Sequence, residues 1–466
     1  MENAFEAQGT TALRWRESTA DERIARIKRL RDAMLASRDA FYEAFARDYG
    51  KPAAEVEATE LLPVMDEMRN AIHHLPGWMR PRRVRTAITM LGTASRIEYQ
   101  PRGRVLVIAP WNYPLSLCFG PLVMALAAGN TVIVKPSEMT PAVSALMKRV
   151  VESVFGAHEV AVFEGGPEVS TRLLELPFDH VFFTGSTRVG RAVMEAAAKH
   201  MASVTLELGG KSPTVVLPGA DLDVAAETLA WGKYLNAGQT CIAPDHVYVH
   251  ESMKDDLAGA LRRAIERLYG DSAQKRKANP DFTRIVNTRH AQRLAELLDD
   301  AKSRGAQVVA GGEVDVAQRF IEPTLLDRVP MESKIMQEEI FGPLLPLLAY
   351  TDLDRVIAQI NAAPKPLALY VYGRDRSTVD HILRNTSSGG ACVNHCMLQF
   401  AHGSLPFGGV NHSGMGSAHG EFGFRAFSHE RAVLRAKTPM LSRLFFPPFT
   451  PRRMKMIRSV VDFLRR

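Results

Sequence analysis

Arg104-Val-Leu-Val-Ile-Ala109 and Thr131-Val-Ile-Val-Lys135 are short β-branched runs, and the apolar segment Leu115 to Ala128 lies between them. Runs of this length are typical of buried strands, and the segment between them is long enough for a helix. The same alternation continues through residues 141–154, 160–163, 180–184, 189–200 and 203–206. It predicts a parallel sheet covered by helices on both faces.

The strand–helix pattern restarts after Gly210, with strands predicted at 213–216, 246–249 and 367–372. The chain of 466 residues is too long for one core. We therefore expect an α/β fold with two doubly wound parallel-sheet domains. Residues 84–99 alternate apolar and polar around Leu91-Gly92, which predicts a two-stranded ribbon. Such a ribbon has little core of its own, so we expect it to pack on another element or a second subunit.

The segment before the first strand is predicted to be helical. Ser18 followed by Asp21 predicts a helix start, with apolar residues at helical spacing as far as Gly50. A second helix is predicted from Pro52 to Leu75, ended by Pro76-Gly77.

Charge is unevenly distributed along the chain. The formal net charge is +7, yet from Arg435 onward there are nine Lys or Arg and one acid, Asp462. This tail carries +8 and the rest about −1, so a nucleic-acid partner is not expected. Residues 452–466 place apolar side chains on one helical face and predict a basic amphipathic helix. It can dock on protein or anchor peripherally to a membrane, and these alternatives remain open.

Cysteine use and the N-terminus indicate the compartment. Four irregularly spaced cysteines do not make a disulfide framework, and no metal site is expected. Residues 1–11 contain no signal-peptide pattern, and the apolar stretch 105–134 is broken by Pro, Gly and Asn. We expect a cytoplasmic protein, membrane-associated only if the C-terminal tail makes that contact.

Two residues are a candidate nucleophile and a candidate base. Glu207 ends a predicted strand in Leu206-Glu-Leu-Gly-Gly-Lys211, and Cys241 follows in Gly238-Gln-Thr-Cys241. A thiolate is a strong nucleophile, and a carboxylate can activate water to release what the thiolate has captured. Taken alone, an isolated Cys is more often a buried apolar residue and an isolated Glu a surface charge.

Strand ends also offer a place for a dinucleotide. Thr184-Gly185-Ser186 ends a strand and starts a helix, where backbone N–H groups suit a pyrophosphate. Lys135 and Glu138 follow a neighbouring strand and are suited to the ribose hydroxyls of an adenosine. Glu138 would repel a 2′-phosphate, which favours NAD over NADP. The alternatives are a simple helix cap and a solvated turn.

These motifs together resemble those of the NAD(P)-dependent aldehyde dehydrogenases, over about residues 20–435. The motif sequences most resemble those of the class 3 branch, which includes fatty, aromatic and coniferyl aldehyde dehydrogenases. The resemblance rests on seven motifs that occur in the same order: Ile108-Ala-Pro-Trp-Asn-Tyr-Pro114, Lys135-Pro-Ser-Glu138, Phe183-Thr-Gly-Ser186, Glu207-Leu-Gly-Gly-Lys211, Gly238-Gln-Thr-Cys241, Glu339-Ile-Phe-Gly-Pro343 and Leu405-Pro-Phe-Gly-Gly409.

The resemblance implies roles for individual residues. Cys241 matches the nucleophile, Glu207 the base that activates the hydrolytic water, and Asn112 a donor to the oxyanion. Lys135, Glu138, Gly185, Ser186, Trp111, Glu339 and Phe341 match cofactor-binding positions, and Tyr113 matches a position lining the substrate tunnel. Without the other motifs, Asn112 would be interpreted as a turn residue and Tyr113 as a residue that only packs in the core. Asn411 departs from the pattern, which usually has Gly there.

The resemblance also implies domains and partners. We expect an NAD(P)-binding, Rossmann-like domain at 1–79 and 102–207 and a catalytic domain at 208–392. A small β oligomerisation element at 80–101 and 393–437 would bridge a homodimer, and 438–466 would be the basic tail. The expected reaction oxidises medium- or long-chain aliphatic or aromatic aldehydes to acids with NAD, or NADP as a second coenzyme. The alternatives are a coenzyme A-acylating dehydrogenase and a catalytically silent scaffold.

Overall fold

The computed structural model describes residues 1–436, 443 and 445–465. Of the segments predicted above, residues 437–442, 444 and 466 lie outside the described part.

The described strands are short and mostly buried. They are β1 (Arg82–Val84), β2 (Thr93–Pro101), β3 (Arg104–Ile108), β4 (Thr131–Lys135), β5 (Val160–Val162), β6 (His180–Thr184), β7 (Ser203–Glu207), β8 (Pro213–Val216), β9 (His246–His250), β10 (Gln307–Ala310), β11 (Val314–Asp315), β12 (Phe320–Ile321), β13 (Thr324–Asp327), β14 (Leu344–Tyr350), β15 (Ala368–Tyr372), β16 (Gly390–Val393), β17 (Gly414–Met415) and β18 (Ser428–Ala436).

The described α-helices cover the sheets or extend from them. They are α1 (Glu2–Trp15), α2 (Ala20–Ala36), α3 (Arg38–Tyr49), α4 (Ala53–Val56), α5 (Leu62–Trp78), α6 (Ser116–Ala128), α7 (Pro141–Glu152), α8 (Pro167–Leu174), α9 (Thr187–Ala198), α10 (Leu222–Tyr234), α11 (Lys254–Tyr269), α12 (Ala273–Ala278), α13 (Thr288–Ser303), α14 (Lys334–Gln337), α15 (Leu353–Ala362), α16 (Arg376–Asn385), α17 (Leu398–Ala401), α18 (Gly420–Ala426) and α19 (Pro451–Leu464).

The first large sheet has six strands in the order β17-β7-β6-β3-β4-β5. All are parallel except β17, which pairs antiparallel with β7 through Gly414 and Glu207. Every residue of β4 and β6 is buried, as expected for a sheet covered on both faces. Helix α6 is buried on nearly all sides, which explains its continuous apolar sequence.

The second large sheet has seven strands in the order β10-β13-β14-β9-β8-β15-β16. Only β10 is antiparallel to its neighbour. The predicted α/β fold with two parallel-sheet units is therefore confirmed, with one antiparallel edge strand added to each sheet. Short-range periodicity does not predict the edge strand β17, because its partner β7 is far away in the chain.

The third sheet, β1-β2-β18, is antiparallel and has three strands. The prediction of a two-stranded ribbon was therefore incomplete. β2 pairs over its whole length with β18, from Thr93 opposite Ala436 to Pro101 opposite Ser428. Pairing between two segments so far apart in the chain cannot be predicted from the sequence of either segment alone.

The N-terminal helices differ in detail from the prediction. The capping box of α2 is Thr19 with Glu22, not Ser18 with Asp21. The expected single helix ends at Ser37 and restarts as α3. From Ala53 the helical chain includes a π-helical stretch and continues through Pro76 to Trp78.

The predicted basic amphipathic helix is present as α19. Its N-cap is Thr450, whose hydroxyl accepts from the backbone N–H of Arg453 at 3.4 Å. None of its side chains is buried. Among the residues described, no helix has the length and apolar character needed to cross a bilayer.

Candidate active site

A cavity of about 260 Å³ lies where the carboxyl ends of β3, β6 and β7 meet the loop before Cys241. This is the position at which ligands bind to doubly wound sheets. The predicted residues that line it are Trp111, Asn112, Gly185, Ser186, Glu207, Cys241, Glu339 and Phe341. We call this space the cofactor-side cavity.

Asn112 is held against the cysteine loop by three hydrogen bonds. Its side-chain amide donates to the backbone carbonyl of Gln239 at 3.0 Å. The backbone carbonyl of Asn112 accepts hydrogen bonds from the Tyr49 hydroxyl at 3.1 Å and from the side-chain amide of Asn236 at 2.9 Å. The amide is therefore buried and oriented, with its second N–H still available.

The turn before Cys241 has an unusual backbone. Asn236, Ala237 and Gly238 have φ values of 52°, 51° and 73°. A side chain at Gly238 would overlap the carbonyl of Gly342, so only glycine fits there. Left-handed backbone at residues other than glycine costs about 1–3 kcal/mol each and tends to occur at functional sites.

The side chain of Gln239 stabilises this turn. Its amide donates to the carbonyls of Asn236 at 2.9 Å and Arg284 at 3.1 Å. Its side-chain oxygen accepts from the N–H of Val286 at 2.9 Å. These bonds within a fully buried group fix the position of Cys241.

Glu207 is the last residue of β7 and only 4% exposed. Burial, and then the neighbouring carboxylate of Glu67, raise the pKa of Glu207 to about 8. Its Oε1 has no hydrogen-bond partner within the described protein. A carboxyl group that titrates near neutral pH is suited to accept and release a proton.

The thiol of Cys241 is partly buried at the same cavity. Burial first, then the carboxylates of Glu339 and Glu207, raise its pKa. The sulfur is therefore a thiol at neutral pH, because burial and the neighbouring carboxylates both disfavour the thiolate.

Glu339 and Phe341 reach the cavity from the segment before β14. The carboxylate of Glu339 packs so tightly on Gly209 that a side chain at 209 would overlap it. Burial raises the pKa of Glu339 to about 7, and its Oε1 lacks a partner among the described groups. The Phe341 ring meets Trp111 edge-on with centroids 5.3 Å apart.

The remaining predicted cofactor residues lie at two strand ends. Ser186 caps α9 by accepting from the N–H of Val189 at 3.4 Å, and Gly185 donates to the carbonyl of Glu207 at 3.0 Å. Lys135, at the end of β4, donates to Glu138 at 2.8 Å. This pair lies outside the lining of the cofactor-side cavity.

A second cavity, of about 130 Å³, is also lined by Cys241. We call it the apolar cavity. The hydroxyl of Tyr113 bonds to Thr240 Oγ1 at 2.7 Å, so this side chain is placed next to Cys241. Besides these residues, its lining includes Trp231, Leu235, Ile242, Leu398 and Phe400.

Sequence reasoning missed a buried ion pair beneath the site. Lys51 Nζ lies 2.8 Å from Glu60 Oε1, and both side chains are fully buried. Glu60 Oε2 accepts from the N–H groups of Leu115 and Ser116 at 3.2 and 2.9 Å, just after the Asn112 turn. Glu60 lies in a predicted helix and Lys51 just before it, and charged residues are normally expected at the surface, so no local signal identified the pair.

The loop with the unusual residue Asn411 also reaches the site. Asn411 has φ 55°, in the left-handed region that glycine and asparagine tolerate best. The N–H of Leu208 donates to the Ser413 carbonyl at 3.1 Å, next to Glu207. Asparagine therefore preserves a backbone shape that glycine would adopt freely.

Comparison with known proteins assigns the family. Residues 1–433 match the model of the aldehyde dehydrogenase family. The chain belongs to this family. The aldehyde dehydrogenases are oxidoreductases that use NAD(P) and a cysteine mechanism, which the motifs around Cys241 predicted.

Similar aldehyde dehydrogenases support the class 3 branch. The chain is 44% identical over 427 residues to 4,4'-diaponeurosporen-aldehyde dehydrogenase of Staphylococcus aureus, covering 92% of each chain. It is 42% identical over 449 residues to human aldehyde dehydrogenase family 3 member B1, covering 96% of this chain and 94% of that one. The solved substrate-bound state of Staphylococcus aureus AldH superposes with a TM-score of 0.94 at 41% identity, covering 99% of both chains.

Proposed function

We propose that Cys241 attacks the aldehyde carbon, with the aldehyde held in the apolar cavity and the coenzyme in the cofactor-side cavity. The position of Cys241 in the lining of both cavities is the observation that carries this proposal. Adding sulfur to the carbonyl gives a tetrahedral thiohemiacetal, whose oxyanion can expel hydride. The free N–H of the Asn112 amide and the backbone N–H of Cys241 are the donors assigned to that oxyanion.

The lining of the cofactor-side cavity fits a dinucleotide. Thr184 Oγ1, Glu207 Oε1, His290 Nε2 and Glu339 Oε1 are buried and lack partners among the described groups. Glu339 would hold the nicotinamide ribose beside Phe341 and Trp111, Gly185 and Ser186 the pyrophosphate, and Lys135 and Glu138 the adenosine ribose. NAD(P), when bound, supplies the hydride acceptor.

Deprotonation of Cys241 is the first proton step. Burial, and then the carboxylates of Glu339 and Glu207, raise the pKa of the thiol, so a cationic group bound in the cofactor-side cavity would lower it. With the coenzyme in place the thiol would give its proton to water, and the free enzyme would stay less reactive.

Release of the acid is assigned to Glu207. Loss of hydride leaves a thioester on Cys241, and the Glu207 carboxylate takes a proton from the attacking water. The raised pKa of Glu207, about 8, lets it hold that proton near neutral pH. A base at this position favours hydrolysis over transfer of the acyl group to coenzyme A.

The apolar cavity favours an apolar aldehyde. Its aromatic and aliphatic lining offers few polar groups to a substrate, which suits medium- or long-chain aliphatic or aromatic aldehydes. The similar Staphylococcus aureus protein is named for the aldehyde of an apolar carotenoid, in line with this substrate class.

The test is NADH formation at 340 nm with acetaldehyde, hexanal, dodecanal, benzaldehyde and coniferaldehyde. Wild type should form NADH fastest with the larger apolar aldehydes, and Cys241→Ala should form none. If NADH forms only in the presence of coenzyme A, the enzyme catalyses the acylating reaction and this proposal is wrong. No signal from folded protein that binds NAD would support a silent scaffold.

We further propose a homodimer built through the sheet β1-β2-β18. In the described part of the chain both outer strands of this sheet lack a further partner, and Val84 and Leu434 are 43% and 55% exposed. Exposed edges and apolar side chains are normally covered by another chain. Light scattering on Leu434→Asp should show monomers if this sheet forms the interface, and wild-type mass if it does not.

We also propose a cytoplasmic enzyme whose α19 binds anionic membranes peripherally. Phe445, Phe446 and Phe449 precede α19 and are 43–56% exposed, and the helix carries Arg452, Arg453, Lys455 and Arg458. Basic residues beside exposed apolar ones suit an anionic lipid surface. Flotation with phosphatidylserine vesicles should recover the full chain but not a chain ending at Thr438, and equal recovery would contradict the proposal.

A further inference from the structure

The buried pair of Lys51 and Glu60 lies against the turn that carries Asn112. Lys51 Nζ is 2.8 Å from Glu60 Oε1, and neither side chain is exposed to solvent. Taking two charges out of water is costly, and well-packed apolar residues in their place are commonly as stabilising or more so. Stability alone therefore does not explain why an ion pair occupies this position.

Glu60 holds the segment that follows Asn112. Its Oε2 accepts from the backbone N–H groups of Leu115 and Ser116 at 3.2 and 2.9 Å, where α6 begins. The first N–H groups of a helix have no partner within the helix, so a carboxylate there fixes where the helix starts. All three groups bonded to Glu60 are donors, so the ionised carboxylate, which only accepts, satisfies them best.

Lys51 supports the same turn where it meets the cysteine loop. Its Nζ lies 4.1 Å from the centroid of the Tyr113 ring, which is a cation–π contact. The Tyr113 hydroxyl bonds to Thr240 Oγ1 at 2.7 Å, and Thr240 directly precedes Cys241. Through one aromatic ring, the cation thus supports the residue before the nucleophile.

The helical segment that carries Glu60 has an unusual backbone. Residues Glu57–Leu61 form a π-helical stretch between α4 and α5. Such stretches are rare and occur frequently at functional sites. Because the hydrogen bonds there run to the fifth residue along the chain, the turn is wider and directs its side chains differently from an α-helical turn.

We propose that the Lys51–Glu60 pair positions the two donors to the oxyanion, the Asn112 amide and the backbone N–H of Cys241. Glu60 acts through the start of α6, and Lys51 through the aromatic ring that contacts the cysteine loop. Both are positioning residues, because neither lines the cofactor-side cavity or the apolar cavity. This inference rests on the oxyanion role proposed above for these two donors.

The decisive variant removes both charges at once. Lys51→Met with Glu60→Gln leaves no uncompensated buried charge, so it should stay folded better than either single variant. We expect its rate of NADH formation in the first turnover, measured by stopped flow with hexanal, to fall by about 10–100-fold, because donors displaced by about 1 Å lose much of their effect. Alkylation of Cys241 by iodoacetamide forms no oxyanion, so it should be slowed far less. A wild-type first-turnover rate, or an equal loss in both reactions, would overturn the proposal.

A matched ion pair elsewhere in the chain serves as the control. Arg276 Nε lies 2.6 Å from Glu322 Oε1, their side chains are 11% and 2% exposed, and neither residue lines the two cavities at Cys241. Arg276→Met with Glu322→Gln should lower stability but leave the first-turnover rate of the folded enzyme as in wild type. If this control slows the first turnover as much as loss of the Lys51–Glu60 pair, destabilisation explains both and positioning is excluded.

A double-mutant cycle tests whether the pair acts through the oxyanion donors. With Asn112→Ala already in place, one of the two positioned donors is absent. Removing the ion pair should then cause a clearly smaller fold-loss in the first-turnover rate than it causes in wild type. Equal fold-losses in the two backgrounds would mean that the pair acts on another step, which would overturn the proposal.

The contribution of Lys51 is tested without changing any charge. Tyr113→Phe keeps the ring under the Lys51 cation but breaks the bond to Thr240, so it should slow the first turnover by less than loss of the whole pair does. A wild-type rate in Tyr113→Phe would overturn the part of the proposal that concerns the N–H of Cys241.

The proposed function is tested independently of this positioning role. If Asn112→Ala forms NADH in the first turnover as fast as wild type, Asn112 is not an oxyanion donor, and the proposed function fails on that point. If Asn112→Ala is slow while the variant without the Lys51–Glu60 pair is as fast as wild type, only the positioning role fails.

Discussion

The side-chain amide of Asn112 donates a 3.0 Å hydrogen bond to the backbone carbonyl of Gln239, in the turn that leads to Cys241. One bond thus joins the loop after β3 to the cysteine loop. It leaves the second N–H of that amide available in the cavity that Cys241 also lines.

Replacing Asn112 by Ala should lower kcat by about 10²–10³-fold, the usual cost of losing an oxyanion donor. The loss should affect formation of the thioester, so that step should become rate-limiting and the pre-steady-state burst of NADH should disappear. Stopped-flow absorbance at 340 nm measures this. An unchanged burst rate with slower steady-state turnover would place Asn112 in release of the acid instead.

Removing a nearby carboxylate should make Cys241 more acidic. Burial, Glu339 and Glu207 raise the pKa of the thiol, so in Glu207→Gln that pKa should fall, and alkylation by iodoacetamide at pH 9, where Glu207 of the wild type is ionised, should be faster than in wild type. The profile of alkylation rate against pH should move to lower pH. Glu152→Gln, at an exposed position on α7, is the matched control and should leave the profile in place. A shift equal in both variants would contradict the prediction.

Breaking the buried ion pair should destabilise the fold. Lys51→Met leaves Glu60 without its cation, which should cost about 3–5 kcal/mol in the free energy of unfolding at pH 8. The cost should be smaller at pH 5, since burial raises the pKa of Glu60 and a protonated carboxyl needs no cation. Thermal unfolding at both pH values tests this. Combining Lys51→Met with Glu60→Gln should recover part of the loss, and a double variant as unstable as Lys51→Met would contradict the explanation.

Coenzyme preference should depend on Glu138. Its carboxylate lies 2.8 Å from Lys135 and would repel a 2′-phosphate, so Glu138→Gln should raise kcat/KM for NADP relative to NAD by at least about tenfold, or ~1.4 kcal/mol. Lys135 would then be free to pair with the phosphate. Steady-state kinetics with both coenzymes give the ratio, and an unchanged ratio would place the selectivity elsewhere.

Local patterns predicted the large features for a physical reason. β-branched runs such as Val105 to Ile108 are buried by any parallel sheet, so a parallel sheet could be predicted from their alternation with helices. The residues of the site follow strand ends directly, or occur in short turns that need Gly or Asn. The strand β18 and the edge strand β17 were missed because their partners are distant in sequence.

The sequence by itself determined the fold class, the family and the candidate nucleophile, base and cofactor residues, because each depends on neighbours within a few positions. Only the tertiary structure decided that Glu60 pairs with Lys51, that Gln239 anchors the cysteine turn, and that Glu67 shares a cavity with Glu207. Burial and charge interactions depend on distances between residues far apart in the chain. Periodicity predicts which face of a helix or strand is buried, but not which side chains pack against that face. Those side chains set the pKa values on which the chemistry depends.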